Sequence, residues 1–354
     1  MRRVLIVIAA LVAVLLVALL VATNHFAQPK LEGRLEGDPI AALAIAPPEE
    51  ALTLARLGGD DRRVLLVTAS GPGGLRAVDL ASTFGRPFSD AVEAIVTLGD
   101  EALGSAARDA ETIAIEYDDL GLPLDAAYPH IAAGANFRAH AEEVGHDEGP
   151  FLFPKLSHPT RWDADVPDRA RLDHEAEICA VTLESHTASE PARLGYVLCN
   201  DFTDRWALLR EIDPGGPMGP TGFPDAKGGE GMLPIGPLLV VPRDAETFHR
   251  ELSLELYVNG VLRQRAVGGQ MIWSPSEIVG RALADCDVAY TSEQGPLGLT
   301  DCAGIPARTL ILTGTPSGVM FHFVTIWSKQ AYLGPGDEVV TTATWLGALR
   351  NRVR

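Results

Sequence analysis

Nineteen consecutive residues near the N-terminus, Val4 to Ala22 ("VLIVIAALVAVLLVALLVA"), carry no charged side chain. Such a run constrains the chain more than any other feature, because apolar surface of that length has to be covered by protein or by lipid. As a helix it spans roughly 28 Å, close to the hydrocarbon thickness of a bilayer. Residues 1–23 are therefore expected to be a membrane anchor or a secretory signal. Arg2 and Arg3 would stay in the cytoplasm, which places the rest of the chain outside it. The run is long for the apolar core of a signal peptide, and the following "TNHFAQPK" has no small-x-small cleavage pattern. An uncleaved anchor through residues 4–22 is thus preferred over a cleaved signal. On both readings the main body is exported, to the periplasm or the cell exterior.

The remainder is globular in composition: 47% of the 354 residues are hydrophobic and 21% charged, enough for a large core and for more than one domain. The net charge is -18, without a long basic run or zinc-finger spacing, so no nucleic-acid partner is expected. Four cysteines are present. In an oxidising compartment Cys286 and Cys302, which flank a loop-like stretch, are the better disulfide candidates. Cys179 and Cys199 lie in apolar, strand-like runs, where buried free thiols are an equal reading.

Residues 24–37 read as a polar linker. Residues 38–125 read as a small α/β region, with short strands at "RRVLLVTA", "AIVTLG" and "TIAIEY" and helical stretches at "DPIAALAIA" and "LRAVDLASTF". Residues 126–354 are dominated by strand-like runs such as "EICAVTLES", "RLGYVLCNDF" and "DEVVTTATW". Two helices interrupt them. "NFRAHAEEVG" has Asn136 as its expected N-cap and Gly145 as its stop, and "SPSEIVGRALAD" starts at Ser274 or Ser276. Between Asp213 and Pro234 a Gly- and Pro-rich stretch must be a loop, long enough to imply a function.

Within "LDHEAEICAV", Glu175 and Glu177 are two apart, so on a strand they share one face. Two neighbouring buried carboxylates repel, and a hard divalent cation such as Mg²⁺, Mn²⁺ or Ca²⁺ relieves that repulsion. Asp201, at the end of the apolar run in "CNDFTDRW", is the candidate third ligand. A helical turn beginning there would favour its ionised form, and Arg205 four residues on is placed to hold an anionic substrate group. Glutamate pairs on exposed edge strands are common, so the pair by itself does not establish a metal site.

Several ordered segments resemble the fumarylacetoacetate hydrolase superfamily: "GANFRAHAEEVG", "LFPK", "LDHEAEI", "GYVLCNDFTDR", "DAKGGEGMLPIGPLLV", "LYVNGVLRQ", "LILTGTPSGV" and "YLGPGDEV". Together they cover about residues 125–354. The resemblance implies an α+β, mainly β fold, a mixed β-sandwich roll with the metal at its mouth, usually in a homodimer. To it this chain adds the small α/β N-terminal region and the N-terminal transmembrane helix. The resemblance also implies Glu175, Glu177 and Asp201 as ligands of Mg²⁺ or Mn²⁺, acting as a Lewis acid on a small 2-oxo acid. Lys227 matches the lysine that polarises the substrate, and Thr315 a substrate-carboxylate contact. His140 and Glu143 match the water-activating pair; three residues apart on a helix, they share a face. Lys155 borders the same region and is read as structural.

This chain departs from the family pattern at two places. Leu208 stands where a substrate-contacting Gln is frequent, and Met320 begins an apolar "MFHFVTIW" where a Gly is expected. Both imply a more apolar pocket or an altered reaction, with that stretch lining the pocket or buried against a dimer partner. The resulting expectation is a metal-dependent hydrolase cleaving a C–C bond in a 2,4-dioxo acid. The alternatives are a hydratase, decarboxylase or isomerase of the same superfamily, or a non-catalytic membrane-anchored binding protein.

Overall fold

The N-terminal apolar run folds as one helix, α1 (Arg2–Ala27), four residues beyond the expected boundary. The structure, a computed structural model, describes residues 2–41, 43–71, 74–187 and 191–354. Leu5–Ala27 is long and apolar enough to cross a membrane, and its large side chains from Leu5 to Val21 touch nothing else in the chain that would bury them. Among the described residues of α1, those of the last turns engage the body. The Thr23 hydroxyl donates to the Val324 carbonyl (3.3 Å), the Phe26 ring stacks on His322 (centroids 3.7 Å apart), and Arg263 donates to the Ala27 carbonyl (2.8 Å).

Residues 38–125 depart from expectation in three places. The described residues of "DPIAALAIA" (38–41 and 43–46) form turns and irregular chain rather than a helix. "LRAVD" belongs to a strand, β3, of the meander β1 (Ala51–Arg56), β2 (Val64–Gly71), β3 (Gly74–Asp79), and only Leu80–Phe84 is helical, as α2. "AIVTL" is helical, in the first part of α3 (Ala91–Asp109), which kinks at Gly99 (φ +74°); Val92 and Ile95 before the kink and Leu103 after it are buried. A six-residue window is too short to show a helical period. Asp90 caps α3 by accepting the Glu93 N–H (2.8 Å) and also pairs with Arg308 (2.6 Å), which ties this region to the C-terminal one. The expected strand at "TIAIEY" is present as β4 (Ile113–Ile115).

The remaining elements follow in order: β5 (His130–Gly134), α4 (Arg138–Val144), β6 (Phe151–Lys155), β7 (Leu172–Asp173), β8 (Ala176–Thr182), β9 (Leu194–Asn200), β10 (Thr203–Asp204), α5 (Arg205–Glu211), α6 (Phe223–Ala226), β11 (Leu238–Pro242), α7 (Ala245–Phe248), β12 (Ser253–Val258), β13 (Val261–Val267), α8 (Pro275–Ala284), β14 (Tyr290–Ser292), β15 (Gly295–Leu297), β16 (Leu310–Leu312), β17 (Glu338–Ala343) and β18 (Gly347–Arg352). A ten-stranded sheet runs β4-β3-β2-β1-β11-β9-β8-β16-β5-β6, and a four-stranded one β13-β12-β17-β18. The N-terminal strands thus extend the sheet of the C-terminal region through the antiparallel pair β1–β11 (Thr53 opposite Val240). Every residue of β8, β9 and β11 is buried, which is why these runs read as continuously apolar rather than alternating. The fold is mixed α+β and mainly β.

Both cysteine pairs are bridged, Cys286 to Cys302 and Cys179 to Cys199. The second pair corrects the equal reading as free thiols. Glu177 lies opposite Cys199 and Cys179 opposite Val197, so the two cysteines are diagonal neighbours on one face of adjacent antiparallel strands, within reach of a bond.

Candidate metal centre and active-site cavity

Antiparallel pairing sets the end of β9 beside the start of β8, with Asn200 opposite Ala176. Glu175 and Asp201 are the residues just outside these two ends, joined by a hydrogen bond from the Asp201 N–H to the Glu175 carbonyl (2.8 Å). The carboxylates of Glu175, Glu177 and Asp201 converge, with one oxygen of each within 4.8 Å of the others, and all three residues are buried. The structure thus brings together the three residues expected as ligands.

Buried charge needs compensation. Lys227 donates to Glu175 (2.7 Å), Asp201 (2.8 Å) and the Thr203 hydroxyl (2.8 Å). Lys155, read from the sequence as structural, places its ammonium 2.6 Å from the other Asp201 oxygen and donates to the Met232 and Lys227 carbonyls. Arg205 pairs with Glu175 (2.6 Å) and with Asp173 (2.8 Å), so its guanidinium is engaged within the cluster. Asp173 itself accepts the N–H groups of Met320 (2.9 Å) and Phe321 (3.1 Å). Asp173 and Lys155 are the members that sequence reasoning missed. For Asp173 a signal was present: residues 173, 175 and 177 continue one two-residue period.

Among the described residues Glu177 is the one carboxylate of these four without a cation in salt-bridge range. Its named partner is the Gly314 N–H (2.7 Å). Burial, then repulsion from Asp201 and Glu175, pushes its carboxyl well above the usual range. Burial works against the Lys227 ammonium, but Asp201 and Glu175 outweigh it and raise its pKa. A hard divalent cation fits this donor set: three convergent carboxylates, one of them short of positive charge. Gly314 makes the Glu177 contact possible. It has φ of +87°, and a Cβ there would lie 2.9 Å from the Asn136 Cβ.

Asn136 does not cap α4. Phe137 occupies that position, and the Asn136 side chain instead accepts from Trp273 N–H (2.7 Å) and donates to the Trp273 (3.0 Å) and Thr313 (2.8 Å) carbonyls. It thereby fixes the start of the helix to the 313–315 turn. Gly145 ends α4 in the left-handed conformation, as expected, and Ser274 is the cap of α8. Asp204, not Asp201, caps α5, so no helical turn begins at the ligand. The 213–234 loop contains the short α6, which delivers Lys227.

On α4, His140 Nδ1 lies 3.5 Å from Glu143 Oε2, a long contact of the kind that tightens in a complex. Glu143 also accepts the Gly318 N–H (2.9 Å) and pairs with Lys30 (2.6 Å). Burial alone would raise the Glu143 carboxyl; the bonds from His140, Lys30 and Gly318 outweigh it and hold it at about 2. Thr315 accepts from Gln264 (2.8 Å).

His140, Glu175, Arg205, Lys227 and Thr315 all line one cavity of about 310 Å³. Its other wall is apolar, formed by Phe151, Leu208, Leu209, Ile212, Met218 and Phe223. Leu208, at the position of the frequent Gln, is part of that wall, and Phe321 of "MFHFVTIW" also faces the cavity. Larger cavities elsewhere, of about 780, 560 and 350 Å³, are lined by none of the expected site residues.

An acid cluster at the mouth of a mixed sheet, beside a His–Glu helix, defines an enzyme-type site for a small oxygen-rich substrate. Residues 129–354 match the family model described as fumarylacetoacetate (FAA) hydrolase C-terminal, and the chain belongs to that family. It is 28% identical over 282 residues to the oxaloacetate tautomerase YisK of Bacillus subtilis, covering 72% of this chain and 83% of the relative. It is 28% identical over 240 residues to the 4-hydroxyphenylacetate degradation bifunctional isomerase/decarboxylase of Escherichia coli, covering 64% of this chain but about half (47%) of that protein. Among solved structures, a candidate HpcE protein from Mycobacterium smegmatis superposes with a TM-score of 0.61 at 26% identity, over 85% of this chain and 98% of the other. The family comprises hydrolases, isomerases, decarboxylases and tautomerases that act on oxo acids.

Proposed function

We propose that the protein is a divalent-metal-dependent hydrolase that cleaves the C–C bond of a 2,4-dioxo acid with an apolar acyl end. One observation carries this reading: His140 and Glu175, the member of the acid cluster that reaches the cavity, share its lining with an apolar set of side chains. An acyl group packs against that wall, whereas a second carboxylate there would find, among the described lysines and arginines of the cavity, only Lys227 and Arg205, both engaged in the cluster.

Glu175, Glu177 and Asp201 would hold Mg²⁺ or Mn²⁺, which supplies a Lewis acid for the 2-oxo and carboxylate oxygens. Lys227 would add positive charge beside the same oxygens, and Thr315, which lines the cavity, would contact the substrate carboxylate. Glu143, ionised, orients the His140 ring. His140 takes a proton from water, and the hydroxide oxygen bonds to the distal carbonyl carbon. The bond from that carbon to the methylene breaks, and its electron pair stays with the 2-oxo acid fragment. The proton on His140 then passes to the methylene carbon, leaving a carboxylic acid and pyruvate. Purified protein on a panel of acylpyruvates with Mg²⁺ or Mn²⁺ should release pyruvate in an EDTA-sensitive way, and His140→Gln should abolish release. Pyruvate release unaffected by chelation refutes the mechanism.

Similarity to the oxaloacetate tautomerase over most of the chain favours a second reading, proton transfer at the carbon next to the 2-oxo group without bond cleavage. Loss of the enol absorbance with no pyruvate formed selects it. We further propose that α1 is an uncleaved anchor holding residues 126–354 as the catalytic unit outside the cytoplasm, and that the protein is a homodimer.

A further inference from the structure

The end of α1 is docked on the rim of the cavity. Thr23, Phe26 and Ala27 hold Val324, His322 and Arg263, and the helix packs on the short 3₁₀ turns Thr325–Trp327 and Lys329–Ala331. Three residues past the helix, Lys30 reaches Glu143 on α4, the helix that carries His140. Three residues extend at most roughly 10 Å. If α1 spans a bilayer, its run of exposed apolar side chains ends near Val21, and the 320–327 segment therefore sits at headgroup level.

That segment is built for such a place. Phe321 faces the cavity, His322 stacks on the anchor, and Phe323 and Trp327 point outward with 76% and 61% of their surface exposed. Outside α1 they are the two most exposed large apolar residues described. Trp at the membrane interface has its ring among the headgroups and its N–H in contact with water, whereas the same residues in water would be an uncovered apolar patch. Continuity with the anchor identifies the occupant of this face as the bilayer that α1 crosses.

We propose that Phe323 and Trp327 rest in the membrane interface and hold the mouth of the cavity against the bilayer. The site then takes an amphipathic oxo acid: the polar head goes to the acid cluster, and the apolar tail lies along Leu208, Leu209, Ile212 and Met218 after leaving the lipid surface. This substrate class rests on the oxo-acid reading of the site, whereas the membrane contact does not. A cavity of about 310 Å³ is at the small end for ligand sites, so a long tail stays partly in the lipid.

The test uses the full chain in phosphatidylcholine vesicles with or without brominated acyl chains. Of the five tryptophans, Trp327 is the exposed one. Bromolipid should quench wild-type emission more than that of Trp327→Phe; equal quenching of both overturns the membrane contact. The double variant Phe323→Ser/Trp327→Ser, if it converts a dimer to a monomer in detergent, assigns the face to a second copy and also overturns it. With vesicle-delivered alkyl-tailed acylpyruvates, the double variant should show a roughly tenfold higher KM with kcat retained. Quenching together with turnover of short, soluble oxo acids alone refutes the tailed substrate. Quenching with no turnover of any oxo acid refutes the enzymatic reading and leaves the membrane contact supported.

Discussion

Replacing Glu177 by Gln should move metal-free stability and metal response in opposite directions. Glu177 faces two carboxylates with ligand oxygens within 4.8 Å, and among the described residues it has no cation partner. With all three carboxylates ionised, at an effective dielectric of about 20, each such like-charge contact would cost about 3 kcal/mol; the lysines offset part of it, and the raised Glu177 carboxyl relieves more by taking up a proton. Gln removes the repulsion and loses a charge-assisted bond from Gly314, a loss of about 1 kcal/mol relative to a neutral bond. The metal-free variant should therefore be equally stable or up to about 2 kcal/mol more stable. Metal should act the other way. At a Mn²⁺ concentration a hundredfold above Kd, the wild type gains about 2.7 kcal/mol, worth about 4 °C in a chain of this size. If the lost ligand weakens binding about a hundredfold, the gain at the same concentration falls to about 0.4 kcal/mol. Thermal unfolding with and without Mn²⁺, together with calorimetric titration, reads both effects. An unchanged metal-induced shift would falsify the assignment of the cluster as the metal centre. A metal-free Tm several degrees lower would show instead that Glu177 is needed to hold the 313–315 turn.

His130 is buried, and burial, then repulsion from Lys155 and His158, lowers its pKa from 6.5 to about 3. Between these values the unfolded chain binds the proton and the folded one does not, so stability rises with pH. This residue alone should cost about 2 kcal/mol on going from pH 8 to pH 5, a slope that His130→Gln should flatten in urea titrations. The Cys179–Cys199 bridge closes a separation of 20 residues, so Cys179→Ala with Cys199→Ala should lose about 3 kcal/mol or more by denaturant midpoint. Leu208→Gln puts an amide in the apolar wall; kcat/KM for alkyl-tailed acylpyruvates should fall about tenfold or more, while acid-ended analogues gain relative to them.

How much of the site was legible depended on the distance over which each signal acts. Glu175 and Glu177 declare a shared face because a strand alternates every residue, and Asp201 ends an apolar run. Lys155 gave no comparable sign. Its ammonium reaches Asp201 because Lys155 ends β6, which pairs with β5 (His130 opposite Lys155), while the α6 loop folds over it. Asn136 looked like a cap by residue type, yet tertiary partners at Trp273 and Thr313 claimed its side chain. "AIVTLG" looked like a strand because six residues cannot distinguish a buried helix face from a strand.

By itself, the sequence determined the apolar N-terminal helix, the mainly β body and the carboxylate pair on one strand face. All three follow from local patterns of side-chain polarity that do not depend on where the chain goes next. Tertiary structure alone decided that three cations and four carboxylates meet in one buried cluster, that Cys179 bonds Cys199, and that the last turn of α1 lies on the rim of the cavity. Those contacts join residues tens to hundreds of positions apart. They depend on strand register and loop closure, which no short stretch of sequence encodes.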